Sequence, residues 1–354
     1  MGLGLVFAVV MPVVRASHFG PQVFLTNEEY NQDIILPVNP FISSNVNKES
    51  AVSDEAEKYI DLKLFGLIKI KRVKVDILPF DKVYAGGLPI GFTAKTDGVI
   101  VLEDGLGFQK GDIIKVDSAQ ELKTMRGREI QFERAGKIKT ARLLGSGLWV
   151  KDETSGIGML TYINPENNNF SSLGHRPTDY ETGAKVDVVG GEVYQCNVIG
   201  IKKWQGKKTG EFKSSLVRGK EAVQGSILSS NDFGVFGCLN KDSELVKQSN
   251  SEYPISSRYN VRPGKAKLRT SLDGLNVEEF DIEIIKTRYQ KKKAAKGMIV
   301  RITDKRLLEQ TGGIIHGMSG SPIIQNGRIV GALTHVTMND AAKGYGIYID
   351  FVVA

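Results

Sequence analysis

Beyond residue 59 the chain is written in short apolar runs broken by glycine, asparagine and proline, with no room for a long amphipathic helix. That punctuation limits the fold to a sandwich or a barrel, because many short strands in succession bury their apolar faces by stacking or curling into one. Residues 158–163, 186–189, 193–201, 226–228, 280–285 and 298–302 are such runs. Upstream, Ile68 and Ile70, then Val73, Val75 and Ile77, alternate with lysines, Arg72 and Asp76. The period of two predicts a half-buried strand, and the slip of phase at Arg72 predicts a bulge or a break. Residues 98–102, 111–114 and 130–134 carry further strands. Helix is expected over 120–126 and, for a turn or two, over 305–310.

At 354 residues the chain is longer than one ordinary domain, since about 150 residues per domain suggests roughly two. Composition marks four segments: an apolar stretch over 1–15, an Asn-, Ser- and Glu-rich linker over 16–58, a strand-rich block over 59–145 and a second β block over 146–354. Residues 1–14 are too few to span a bilayer, which needs about 20. No basic residue precedes them, as a signal peptide requires. They read as a short signal core or as an anchor missing its first turns, so the expected location is exported, with or without a membrane tether.

The charge balance is 47 − 40 = +7. It is spread thinly, which argues against a nucleic-acid partner. The run Lys291, Lys292, Lys293 with Lys296 reads as a solvated loop between strands, with an anionic-membrane contact or a processing site as functional alternatives. Two isolated cysteines, Cys196 and Cys238, exclude a disulfide scaffold and a Cys-rich zinc site and leave one optional bridge. No metal and no organic cofactor is implied.

The chemistry lies in the last sixty residues or so. Gly317-Met318-Ser319-Gly320-Ser321-Pro322 leads into an apolar strand, an Asn326-Gly327 turn and a second apolar strand, which together make a hairpin. Glycine on both sides of Ser319 permits unusual backbone angles and close approach of a substrate. Such a loop can aim the N–H groups of Gly317 and Ser319 at one spot, the requirement of an oxyanion hole. Glycine- and serine-rich turns are common, so the loop alone decides nothing. A serine becomes a nucleophile only when a histidine takes its proton and a carboxylate fixes that histidine's tautomer.

His175, in Leu173-Gly174-His175-Arg176-Pro177, follows a hairpin built around residues 164–167, and a histidine there is poorly placed as core filler. Asp304 follows the strand over 298–302. Of the other histidines, His316 reads as a solvated or loop-stabilising residue. His335 reads as a buried hydrogen-bonded residue or as part of a specificity pocket, and His18 has no context. Asp179 reads as a cap or turn residue.

Gly-x-Ser-Gly-x-Pro near the end of the chain, with histidine and then aspartate upstream, resembles the chymotrypsin-like serine proteases. More narrowly, residues 312–323, Ile302-Thr303-Asp304 fifteen residues before the serine (319 − 304), residues 156–161, Leu173-Gly174-His175, and residues 331–335 with Gly344-Tyr345-Gly346 resemble the stage IV sporulation protein B peptidases. The resemblance implies a mainly β protein whose chymotrypsin-like double β-barrel protease domain follows a small, reduced PDZ domain over 59–145. It also implies a triad of Ser319 as nucleophile, His175 as general base and Asp304 as orienting carboxylate. The implied substrate is a membrane-bound regulator of an intramembrane protease, with self-cleavage, as a signalling step in the space between forespore and mother-cell membranes.

In the PDZ reading, Ile90-Gly91-Phe92 would hold a peptide carboxylate on its N–H groups; the usual helix hardly fits after residue 102, so the module looks trimmed. Arg176-Pro177 departs from the family's Gly-Ile after the histidine. Met318 stands where digestive proteases carry the aspartate that pairs with a freed N-terminus, so activation by that ion pair is not expected. The rival readings are a PDZ-bearing adaptor that has lost turnover and a polyanion-binding protein using the Lys291 cluster.

Overall fold

Strict alternation puts Ile60, Leu62 and Leu64 on one face of a strand and Val73 and Val75 on one face of the next, and these side chains are buried together. The computed structural model describes residues 22–31, 42–46 and 58–353, except 146, 207, 217, 218, 220, 221 and 291. In it, β1 (Gln22–Leu25), β2 (Ile42–Val46), β3 (Lys58–Leu64) and β4 (Ile68–Ile77) form a four-stranded sheet in the order β1-β4-β3-β2. Leu62 faces Lys71 while Lys63 faces Lys69, which leaves Ile70 as the extra residue of a bulge, close to the phase slip read at Arg72. The apolar stretch 1–15 and His18 lie outside the described residues.

The stretch read as linker therefore supplies two strands and a short helix, Asn27–Asn31. Glu29 on that helix is buried. Its carboxylate accepts hydrogen bonds from Thr26 N (3.0 Å), Ser256 Oγ (2.9 Å), Ser257 N (2.9 Å) and Asn260 Nδ2 (2.7 Å). Arg328 donates a fork of two hydrogen bonds to Glu28 (2.9 and 3.1 Å). These contacts tie the sheet to the C-terminal half of the molecule.

The next strands are β5 (Lys82–Ala85), β6 (Pro89–Val101), β7 (Ile113–Ile114), β8 (Glu129–Arg134), β9 (Lys137–Arg142), β10 (Val150–Ile163), β11 (Asn169–Ser172), β12 (Val188–Lys202), β13 (Glu211–Leu216), β14 (Val223–Asn231) and β15 (Gly234–Leu239). The ladder β6-β10-β11-β15-β14-β12 returns to β6 and closes a first six-stranded barrel. Strands β7 to β9 and the helix Ala119–Thr124 extend β6 as a flap with its own core of Phe108, Ile130 and Phe132.

The block 59–145 is thus divided among the N-terminal sheet, the first barrel and the flap, and the expected PDZ module does not stand as a unit. Ile90, Gly91 and Phe92 are corrected with it. They lie inside β6, paired with Gly158, Ile157 and Gly156 of β10 on one side and with Gln195, Tyr194 and Val193 of β12 on the other. Their backbone is committed to the barrel and cannot hold a peptide carboxylate. Gly91 answers to packing instead: a Cβ there would lie 1.8 Å from the Leu216 side chain.

After β16 (Glu252–Pro254), the second barrel comprises β17 (Gly264–Ser271), β18 (Val277–Thr287), β19 (Met298–Ile302), β20 (Pro322–Gln325), β21 (Arg328–Thr337) and β22 (Asp340–Tyr348), closed in the order β17-β18-β19-β22-β21-β20. Phe280, Ile282, Met298, Val300, Ile323 and Ile347 fill it. Asn326 and Gly327, both at positive φ (52° and 72°), make the two-residue hairpin turn the sequence predicts. The fold is mainly β, with the two six-stranded barrels of a chymotrypsin-like architecture. Cys196 and Cys238 are both free. Lys292, Lys293 and Lys296 are exposed on the loop between β18 and β19.

Candidate active site

The nucleophile loop is clasped between the barrels. Ser319 O accepts a hydrogen bond from Met159 N of β10 (2.8 Å), and Gly320 O accepts one from Thr161 Oγ1 (2.9 Å). On the other side Gly320 N donates to Leu333 O of β21 (2.8 Å). Gly320 has φ 97°, and a Cβ there would lie 2.2 Å from Met159 O and 2.6 Å from Leu173 N. Only glycine lets the second barrel's loop approach the first barrel's backbone this closely. Met318 is fully buried in the second barrel, its sulfur facing Ile315 N.

His175 comes from the first barrel. Leu173 and Gly174, at φ 71° and 66°, swing the chain out of β11. A left-handed leucine is unfavourable and persists only where the surroundings enforce it. A Cβ on Gly174 would lie 3.1 Å from Thr334 Cγ2 and 3.5 Å from Leu333 O, so the turn delivers His175 against β21. There its ring lies 5.1 Å from that of His335. His175 Nδ1 is 2.8 Å from Arg176 O. A carbonyl only accepts, so the proton belongs on Nδ1, and Nε2 keeps the lone pair a base needs. Burial pushes the His175 pKa down, the Arg176 carbonyl opposes that, and the charges of Lys185 and His316 lower it further. Burial, with His175, Lys296 and Lys185, takes His335 down to about 4. Both imidazoles are neutral at neutral pH.

The Ser319 hydroxyl donates to Thr334 O (2.8 Å). Neither Gly317 N nor Ser319 N donates to another group among the described residues, so both N–H groups expected of the oxyanion hole are open. Gly317, at φ 99°, lies under Phe212, whose ring a Cβ would meet at 2.4 Å. Phe212 N donates to His316 O (3.2 Å) and His316 N to Gly210 O (2.8 Å), so the β12–β13 hairpin of the first barrel covers this loop. The exposed His316 holds the loop through its backbone.

The structure does not bring Asp304 to His175. Asp304 caps the helix Lys305–Thr311 at the end of β19, in the second barrel. Its carboxylate accepts from Arg306 N (2.9 Å), Leu307 N (3.4 Å), Asp281 N (3.2 Å) and the Arg306 guanidinium (3.2 Å). Burial raises its pKa, but the Arg306 guanidinium and these N–H groups outweigh it and hold the carboxyl below the usual range. The fifteen-residue spacing to Ser319 serves a helix N-cap, whose aspartate satisfies otherwise unpaired N–H groups.

The carboxylates that follow His175 in sequence, Asp179, Glu181 and Asp187, are all engaged, Glu181 by Lys151 (3.2 Å). Asp187 takes the Arg176 guanidinium (2.6 and 2.8 Å), and the buried Asp179 accepts from Thr154, Thr182 and Lys151. Thr334, whose carbonyl accepts the hydrogen bond of the Ser319 hydroxyl, was not legible in the sequence because a backbone acceptor has no side-chain signature. His335 is half-buried beside His175, and its Nδ1 has no hydrogen-bond partner among the described residues, so it is not the satisfied core histidine considered above. Among the described residues no three His, Cys, Asp or Glu side chains converge as a metal site.

Residues 143–353, more than half of the chain, match the sequence profile of the SpoIVB peptidase S55 family. The chain belongs to that family. It is a serine protease, as the resemblance implied. The match begins near the end of the flap and spans His175, Asp304 and Ser319. No curated protein matches the peptidase. Solved structures similar to it include the Rv3671c protease from M. tuberculosis in its active form, at 12% identity and TM-score 0.33, covering 56% of this chain and 71% of that one. Its inactive form follows at 13% identity and TM-score 0.30, covering 56% and 81%.

Proposed function

We propose that the peptidase is an endopeptidase working with Ser319 and His175, the histidine being oriented by the Arg176 carbonyl. Ser319 Oγ turns from Thr334 O, gives its proton to His175 Nε2 and attacks the scissile carbonyl. The developing oxyanion is received by Gly317 N and Ser319 N. His175 then passes the proton to the leaving amine, and water repeats the sequence on the acyl-enzyme. The observation that supports this reading is the pair of open N–H groups at Gly317 and Ser319, on a loop the first barrel clamps against Thr334, the residue on which the Gly174 turn ahead of the neutral His175 also packs.

Family membership supports the rest. The proposed substrate is a membrane-associated regulatory protein, one that controls an intramembrane protease, together with the chain itself. The proposed role is signalling in sporulation, outside the cytoplasm between the forespore and mother-cell membranes.

One observation favours the adaptor as a second reading: the Ser319 hydroxyl is engaged by Thr334 O and not by His175. A fluorophosphonate probe separates the two. Wild type should label and cleave itself while Ser319→Ala does neither, a loss of roughly 10⁶ in turnover. A folded wild type that stays unlabelled would favour the adaptor.

A further inference from the structure

The β3–β4 hairpin ends in an apolar tip that nothing in the catalytic reading uses. Phe65, Leu67 and Ile68 are 51%, 85% and 62% exposed, while Leu64 beside them is buried. The turn is tight: Leu67 N donates to Leu64 O (3.1 Å), with Phe65 and Gly66 both at positive φ (52° and 74°). Two-residue turns of this kind prefer asparagine or aspartate before the glycine. Phenylalanine there is an unfavourable choice, and it holds a large ring at the outermost point of a rigid hairpin.

The stem below the tip is basic. From Lys58 to Ile77 it carries Lys58, Lys63, Lys69, Lys71, Arg72 and Lys74 against Asp61 and Asp76, or 6 − 2 = +4 of the chain's +7. Lys63 and Lys69 are direct cross-strand partners next to the tip, a like-charge pairing that disfavours the hairpin unless anions are near. Asp61 answers part of this by pairing with Lys69 and Arg72.

We propose that this hairpin docks on an anionic lipid surface, the tip entering the interface while the stem meets the headgroups. Three exposed apolar side chains at a point, backed by a collar of lysines, match the two contributions that bind peripheral proteins to anionic membranes: buried apolar area and attraction to the headgroups. The sheet is fixed to the second barrel through Glu28 and Glu29, so docking would hold the catalytic barrels at the membrane. The inference is independent of the catalytic assignment.

The test uses the full chain with vesicles of phosphatidylglycerol or of phosphatidylcholine. Wild type should bind the anionic vesicles, weakly at about 0.5 M salt where charges are screened, and the double variant Leu67→Ser/Ile68→Ser should bind about tenfold or more weakly. A Leu67→Trp variant reads the tip directly: spin-labelled lipid should quench it well beyond wild type, which carries Trp149 and Trp204. Equal binding by the serine variant, or no added quenching at position 67, would overturn the proposal. So would tip-dependent self-association without lipid, which would make a second copy the partner.

Discussion

His175 and His335 show how burial sets the chemistry of single residues here. A general base must be neutral to accept the serine proton, and burial disfavours the charged imidazolium. The acid limb of the kcat/KM profile should therefore fall below the ordinary histidine value of about 6.5. Lys185 contributes to that depression through its charge, so Lys185→Gln should move the limb back up. A wild-type limb at or above 6.5 would contradict the assignment of His175 as a buried base. The tautomer is fixed by the carbonyl of the next residue, and Pro177 suits this arrangement by holding Arg176 extended. The departure from the family's sequence after His175 thus coincides with the contact that holds the ring of this proposed base.

Among the elements, the loop before β20 depends most on its glycines. Gly320→Ala would set a Cβ against the backbone of both β10 and the Leu173 turn, neither of which can yield as a flexible side chain could. Strain and overpacking together should cost about 3 kcal/mol or more, lowering the melting temperature by roughly 5 to 10 °C. Gly327→Ala is the control, since it has positive φ but open space around it; it should cost about 1 kcal/mol. Equal losses in the two variants would show that the barrels do not clamp the loop.

The Asn326-Gly327 hairpin, the helix over 305–311 and the hairpin ahead of His175 were all legible, because turn residues and alternation act locally. The role of β6 was not. Its alternation suits a barrel strand as well as a PDZ strand, and the choice depends on β10 and β12, which lie far along the chain. Glu29 was hidden for the same reason: one of its four donors, Thr26 N, lies just ahead of its helix and the other three come from residues 256–260.

At the scale of the whole molecule, the turn that carries His175 from the first barrel and Ser319 from the second both lie against Thr334, with an N-terminal sheet latched to the second barrel. That division bears on the triad. Asp304 belongs to the second barrel, where four donors occupy it, and no carboxylate hydrogen-bonds His175 among the described residues. Motif order suggested Asp304 as the orienting residue, because order along a sequence does not reveal which barrel a strand end serves.

The most direct measurement is the rate of fluorophosphonate labelling and self-cleavage of Asp304→Asn beside wild type. Asparagine also caps helices, so the fold should survive. With the Arg176 carbonyl as the orienting group, the variant should react within about threefold of wild type. A loss on the order of 10⁴, the size seen when a triad aspartate becomes asparagine, would contradict that account and restore Asp304 to the triad.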